Sequence, residues 1–271
     1  IPYCAFCSNQ MFMCSLYEQL WNQQRKFPNL PIPLTLHLCV KALIKNGVFL
    51  TPNPIPSINI IVSPKRNSSS NSASKPSQNS GVDECSISKG SKVFYKKPKM
   101  RIVYRWMNKL PNDNNVINDG EVCNLIALLL EWLANLVDPI IPKQSLTDFM
   151  EIFNDEYNES NITKYNGFIE KLPLLHKNTL KYLIGFLRDV GKNEEHTHQS
   201  YQVIANNIGC FFVDTKYATV DPFTMKKIND ISPHFVLYCL YNLDVTEVYP
   251  LNPIYEITLE FVRFIVNKIL N

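Results

Sequence analysis

Glycine is scarce, with eight residues scattered along a chain of 271. No Gly-rich loop able to cradle phosphates is present, and neither HExxH nor G-x-S-x-G occurs. The search for catalytic motifs therefore points to a helical interaction domain and away from an independent enzyme. Long apolar runs are also missing. The richest, 125–136, is interrupted by Glu131 and falls short of a membrane span. The N-terminal segment has no basic region of the signal-peptide kind. Charge of one sign is not in excess: the net value of +3 does not imply strong nonspecific nucleic-acid binding. Cysteine is present but unpatterned, at positions 4, 7, 14, 39, 85, 123, 210 and 239. The one close pair, Cys4-x-x-Cys7, lacks a second CxxC or a nearby His to complete a zinc tetrad. We expect no metal and no cofactor. Scattered thiols read as buried and free, which suits a reduced cytoplasmic setting. An opening Ile1 in place of Met suggests a piece of a longer chain.

What is there is apolar substance in helical spacing. Hydrophobic residues make up 45% of the chain, enough for a packed core. Residues 11–24 read as a helix with Leu16, Leu20 and Trp21 on one face. Three prolines in 27–33 break it. Residues 34–45 form a second helix striped by Leu36, Val40, Leu43 and Ile44. Ile102, Val103 and Trp106 begin another buried segment. In 119–136 the spacing of Val122, Leu125, Ile126, Leu129 and Leu133 is helical. Leu128, Leu130 and Trp132 add apolar surface on other sides, so this helix is expected at the centre. "DPIIP" (138–142) ends it, and Ser145 is placed to cap a shorter helix. Residues 174–190 carry Leu180, Leu183, Ile184 and Leu187 on one stripe, with Gly191 as a stop. Residues 200–213 follow. Ser232 and Pro233 then read as the cap and first turn of a helix bearing Val236, Cys239, Leu240 and Leu243. "YPLNP" (249–253) breaks the chain before a last amphipathic helix over 254–270. No alternating strand run and no internal repeat appear, so the fold class is all-α.

Three segments fall outside this pattern. Residues 63–88 are a Ser/Asn-rich, low-complexity insertion, expected to be disordered because they offer little to bury. The stretch 89–105 gathers Lys92, Lys96, Lys97, Lys99, Arg101 and Arg105 among Phe94, Tyr95 and Tyr104. That mixture suits RNA or an anionic membrane surface, whereas a short patch in a near-neutral chain also reads as a solvated flank. His196 and His198 in "NEEHTHQ" are placed to bind a metal with Glu194 or Glu195, but such a run also reads as a solvated interhelix loop.

The order of segments then becomes informative. "IPLTLHLCVKALIKNGVF" (32–49), "VCNLIALLLEWLANLVDPIIP" (122–142), "IEKLPLLHKNTLKYLIGFLRDV" (169–190) and "VIANNIGCFFV" (203–213) follow one another. The series resembles the Rho GTPase-activating-protein (RhoGAP) domain. Within that family it is most similar to the RhoGAP-like domain of the type II, Lowe-syndrome-type inositol polyphosphate 5-phosphatases. Leu172-Pro173-x-x-His176-Lys177-Asn178 is the most specific stretch. The resemblance implies a RhoGAP-like helical bundle over 31–271, interrupted by the insertion. It also implies that residues 1–30 are an N-terminal extension, the trailing edge of an immunoglobulin-like ASH module. A phosphatase domain is absent from this chain.

The resemblance further implies what is lost. In the family an arginine finger follows "G-[IV]-F" and neutralises charge on the transferring phosphoryl group. Here Gly47-Val48-Phe49 is followed by Leu50 and Thr51. Leucine brings no cation and no donor. The Lys and Arg of the family's "LLKxFLRxLPxP" helix fall on Leu130 and Ala134, and the Asn opening its "NLA" motif falls on Val203. The expected function is a catalytically inactive module that binds Rho-family small GTPases, short-motif trafficking adaptors, or both. Adaptor contacts would centre on His37, Val40 and Lys41, although His37 departs from the large aromatic expected there. The expected location is peripheral to endosomal or Golgi membranes, reached through partners. Two alternatives stay open: an active GTPase activator with Arg101 or Arg105 as a displaced finger, and an anionic-membrane module using 89–105.

Overall fold

A computed structural model describes residues 12–24, 26–56, 97–153, 161–213 and 222–249. Ten α-helices lie within them: α1 (Leu16–Gln23), α2 (Leu34–Lys45), α3 (Met100–Lys109), α4 (Val122–Ala134), α5 (Leu146–Ile152), α6 (Ile162–Lys171), α7 (Leu174–Lys192), α8 (Glu194–Thr197), α9 (Tyr201–Ile208) and α10 (Pro222–Asn242). Among the described residues there is no strand, only an isolated parallel bridge between Ile141 and Val213. The all-α expectation holds. The expected insertion at 63–88, Lys92, Lys96 and the helix over 254–270 lie outside the described residues.

Two helices make the centre. In α4, Leu125, Ile126, Leu128, Leu129, Leu130, Trp132 and Leu133 are all buried, as expected of a helix apolar on every side. It packs against α2 and α3. The second is α7, which meets α1, α8, α9 and α10. A cluster of rings fills the space between α5, α6 and α10. Phe153 stacks on Tyr165 with centroids 4.6 Å apart, and Phe149 meets Phe235 edge-on at 5.4 Å. Cys14, Cys39 and Cys239 are buried and form no disulfide, whereas Cys123 and Cys210 are only half-buried; burial pushes the Cys39 thiol up to about 12.

Several boundaries differ from the sequence reading, each for a tertiary reason. The inner face of α1 carries Leu16 with Gln19 and Gln23, while Trp21 is 71% exposed. Both glutamines have hydrogen-bond partners, although Gln19 Nε2 is buried without one. Gln19 Oε1 accepts from Trp132 Nε1 at 2.9 Å. Gln23 donates to the Ile32 carbonyl at 2.7 Å and accepts from the Leu34 amide at 2.6 Å. It thereby caps α2, whose own N-cap residue, Pro33, has no side-chain donor or acceptor. Phe12, Leu16, Phe27 and Leu30 share the main core, so the described part of the expected extension is packed into the bundle. Ile44 lies at the exposed edge of its stripe. Ser145 makes no cap hydrogen bond, since it sits in a 3-10 turn over Lys143–Ser145. Gly191 does not stop α7. The helix runs on to Lys192, and a Cβ at 191 would lie 2.3 Å from the Tyr201 ring, so the glycine serves close packing of α9. Nor do Ser232 and Pro233 start a helix. They lie inside α10, where the Ser232 hydroxyl donates to the Ile228 carbonyl at 2.6 Å.

Polar side chains then tie the elements together. His176 is buried at the start of α7. Its Nδ1 lies 3.1 Å from the carbonyl oxygens of Pro139 and Ile140, and its Nε2 lies 3.1 Å from an Asp138 carboxylate oxygen. The "DPIIP" and "LPLLHKN" stretches are thus one contact in space. Further along α7, the Arg188 guanidinium donates to the carbonyls of Cys239, Leu240 and Leu243 at 3.0, 2.8 and 2.7 Å. These oxygens lie at the end of α10, where the Cys239 carbonyl also accepts from the Leu243 amide at 3.1 Å, and a cation suits that end of the helix dipole. Arg188→Ala is expected to remove its bonds to the Leu240 and Leu243 carbonyls and to cost about 1–3 kcal/mol in urea unfolding. Arg188→Lys is expected to recover only part of that loss, because an ammonium cannot span three carbonyls in one plane.

Candidate functional site

The chain leaves α2 through a tightly held turn. Asn46 closes the helix, its side-chain amide donating to the carbonyls of Ala42 at 2.7 Å and Asn118 at 2.9 Å. Gly47 follows with φ 78°, a left-handed conformation that glycine takes without a Cβ clash. Val48–Leu50 then form a single 3-10 turn. Val48 is buried, and Phe49 packs against Phe186 of α7 with centroids 6.4 Å apart. The Thr51 hydroxyl donates back to the Gly47 carbonyl at 3.0 Å. With both neighbours anchored, Leu50 is the residue left outside, 69% exposed.

The exit from the turn is clamped as firmly. The Asn53 amide donates to the Thr197 carbonyl at 2.7 Å. The Ile55 amide donates to Gln199 Oε1 at 3.2 Å, while the Ile55 carbonyl accepts from Gln199 Nε2 and from Asn207 Nδ2. Ile55, Thr197, Gln199 and Asn207 are buried. The 196–200 loop is therefore not a simply solvated connection. Its exposed histidines flank a structural Thr197, and among the described residues no three groups are placed to hold a metal. Asn207 lies one helical turn beyond Val203 and supports the turn from beneath.

The other candidate positions are distributed as follows. Val203 is 40% exposed on α9, the helix that also carries the Asn207 clamp. Ala134 is half-buried at the end of α4. Leu130 is fully in the core and offers nothing to a partner. On α2, Lys41 is exposed, and the half-buried His37 meets the Tyr182 hydroxyl through Nδ1 at 3.0 Å. Val40 has no exposed surface, so it belongs to the core and not to a groove. Lys97, Lys99, Arg101 and Arg105 are exposed. α3 packs on α4, whereas the turn packs on α2, α7 and α8. Residues 46–56 include no Lys, Arg or His. The turn presents an anchored apolar tip and brings no charge of its own. Gln199 and Asn207 carry the arrangement and were not legible in the sequence. A glutamine in a polar loop gives no sign of burial until the backbone it satisfies is placed against it.

Residues 90–216 match the family model of the RhoGAP domain. Among solved structures, that of human Rho GTPase activating protein 15 is similar, with a TM-score of 0.59 at 14% identity, covering 88% of this chain and 95% of that one. The BH domain from GRAF, the GTPase regulator associated with focal adhesion kinase, aligns with a TM-score of 0.51 at 14% identity over 76% of this chain and 90% of that one. The helical architecture is thus that of RhoGAP domains. The matched span includes Leu130, Ala134 and Val203 and begins after the turn.

Removing the Gln199 side chain tests the clamp. Gln199→Ala orphans a buried amide and is expected to cost about 1–3 kcal/mol. Hydrogen exchange at the Ile55 amide is expected to accelerate by at least about tenfold, while amides in the middle of α7 change little. Equal acceleration at both places would show that the clamp is not local.

Proposed function

We propose that this chain, built on a RhoGAP fold, binds a Rho-family small GTPase through the Gly47–Thr51 turn without accelerating GTP hydrolysis. The observation that carries this reading is Leu50, exposed at the tip of a turn whose other side chains are anchored. A finger arginine acts by placing a cation against charge that develops on the transferring phosphoryl group, and is worth about 10³–10⁵ in rate. Leu50 has only dispersion and apolar area to offer. Covering such a side chain on docking contributes roughly 1.5–3 kcal/mol to binding and nothing to the charge at phosphorus. Apolar Val203 and Ala134, where the family places polar groups, support the same reading.

The similarity of 32–49, 122–142 and 169–190 to modules of type II inositol polyphosphate 5-phosphatases makes such a phosphatase the proposed parent. On that view trafficking adaptors dock near His37 and Lys41, and partners hold the module at endosomal or Golgi membranes. Nothing in the described residues is long and apolar enough to cross a membrane by itself.

Single-turnover GTP hydrolysis by a panel of Rho-family GTPases, with and without excess protein, tests the proposal. The expected result is an unchanged rate with every member and a measurable complex with at least one. Leu50→Asp is expected to weaken that complex by about tenfold or more, because docking would bury an unpaired carboxylate. An accelerated rate would overturn the inactive reading and direct attention to Arg101 or Arg105. Absence of any complex, or indifference of the complex to Leu50→Asp, would overturn the binding role of the turn.

A further inference from the structure

Positive charge is unevenly placed in this chain. Of its 27 Lys and Arg residues, eight fall between 85 and 112, a stretch with no Asp or Glu. The remaining 19 are outnumbered by 24 acids, which leaves the rest of the chain at a net −5. The described part of the basic stretch is α3 and the three residues before it. Val103 and Trp106 turn inward, with Leu110 buried just beyond. Arg101, Tyr104, Arg105 and Asn108, at helical spacing on the other side, are exposed together with Lys97, Lys99 and Lys109.

Taken alone, this helix is poorly arranged electrostatically. Arg101, Arg105 and Lys109 succeed one another at i, i+4, where like charges repel. Lys97, Lys99 and Arg101 crowd the N-terminal end, where the helix dipole disfavours cations, and the first turn has neither an acidic residue nor a side-chain cap. No acid among the described residues forms an ion pair with any of these five cations. An anionic partner would relieve every one of these unfavourable terms.

The shape of the face decides which anion. It is the outer side of one helix, and among the described residues it carries a single exposed aromatic side chain, Tyr104, 52% exposed among the cations. Single-stranded nucleic acid is held by basic grooves with several stacking rings, and among the described residues this face offers neither. A planar anionic surface can meet the exposed cations of one helix side together. Tyrosine also favours the boundary between lipid headgroups and acyl chains. We propose that the outer face of α3, with Arg101, Tyr104, Arg105 and Lys109 and with Lys97 and Lys99 before it, docks onto a bilayer that carries anionic lipid. This surface is distinct from the turn at Leu50, and the proposal stands whether or not the turn binds a GTPase.

Co-sedimentation of the intact chain with vesicles tests it, using phosphatidylcholine alone and phosphatidylcholine with phosphatidylserine. Binding is expected only with phosphatidylserine, and is expected to fall as salt is raised. Each cation near the surface is worth about fivefold in partitioning, so Arg101→Gln with Arg105→Gln is expected to lower it roughly 25-fold. Lys97→Gln with Lys99→Gln, at and before the N-cap of α3, is expected to do the same while leaving the cations within the helix in place. Unchanged far-ultraviolet circular dichroism and urea midpoints establish that the variants remain folded. Equal binding to neutral vesicles, no binding, or indifference to both double variants would overturn the proposal. So would an RNA oligonucleotide that displaces the protein from the vesicles at a lower phosphate concentration than the lipid presents.

Discussion

The burial of α7 is the constraint on which the other elements depend. Its first turn holds the 138–140 segment through His176, its middle meets α2 through Tyr182 and His37, and Phe186 receives Phe49 of the exposed turn. Arg188 finishes α10, and the hydroxyl of Thr197, the last residue of α8, donates to the Val190 carbonyl at 3.2 Å. One long helix thus touches both the structural ends of the bundle and the exposed turn at Leu50. Its neighbours cannot shift independently, because close-packed side chains transmit displacement.

That coupling explains how a leucine can be presented so openly. An exposed apolar tip on a free loop would fold back against its own chain. Here Phe49 is held by α7 and Thr51 by the Gly47 carbonyl, while Ile55 is fixed by Gln199 and Asn207. Leu50 stays 69% exposed between these anchored neighbours.

Much of the bundle was legible in the residues. The helical spacing of Leu125, Ile126, Leu129 and Leu133, with apolar neighbours on the remaining sides, pointed to a central helix. Leu180, Leu183, Ile184 and Leu187 likewise marked the inward stripe of α7. The candidate turn was visible because Gly47 and the prolines after it stop a helix in a recognisable way. Less legible were positions where a polar side chain serves backbone far away in sequence. Gln23 as a cap for α2, Gln199 as a clamp on Ile55 and Arg188 as the end of α10 carry no local signature. Trp21 and Ile44 erred in the other direction, since apolar spacing alone does not tell which edge of a stripe the neighbours cover.

Helical class, the core stripes and the identity of Leu50 after Gly47-Val48-Phe49 were determined by the sequence itself, because periodicity and residue identity are local properties. The tertiary structure decided that Leu50 is displayed and Leu130 hidden, that Gly191 serves packing where a helix stop was expected, and that the cations of α3 share one unpaired face. Those outcomes depend on which backbone and side chains come to lie opposite a residue. Segments distant in the chain decide that, and they meet only when the bundle closes.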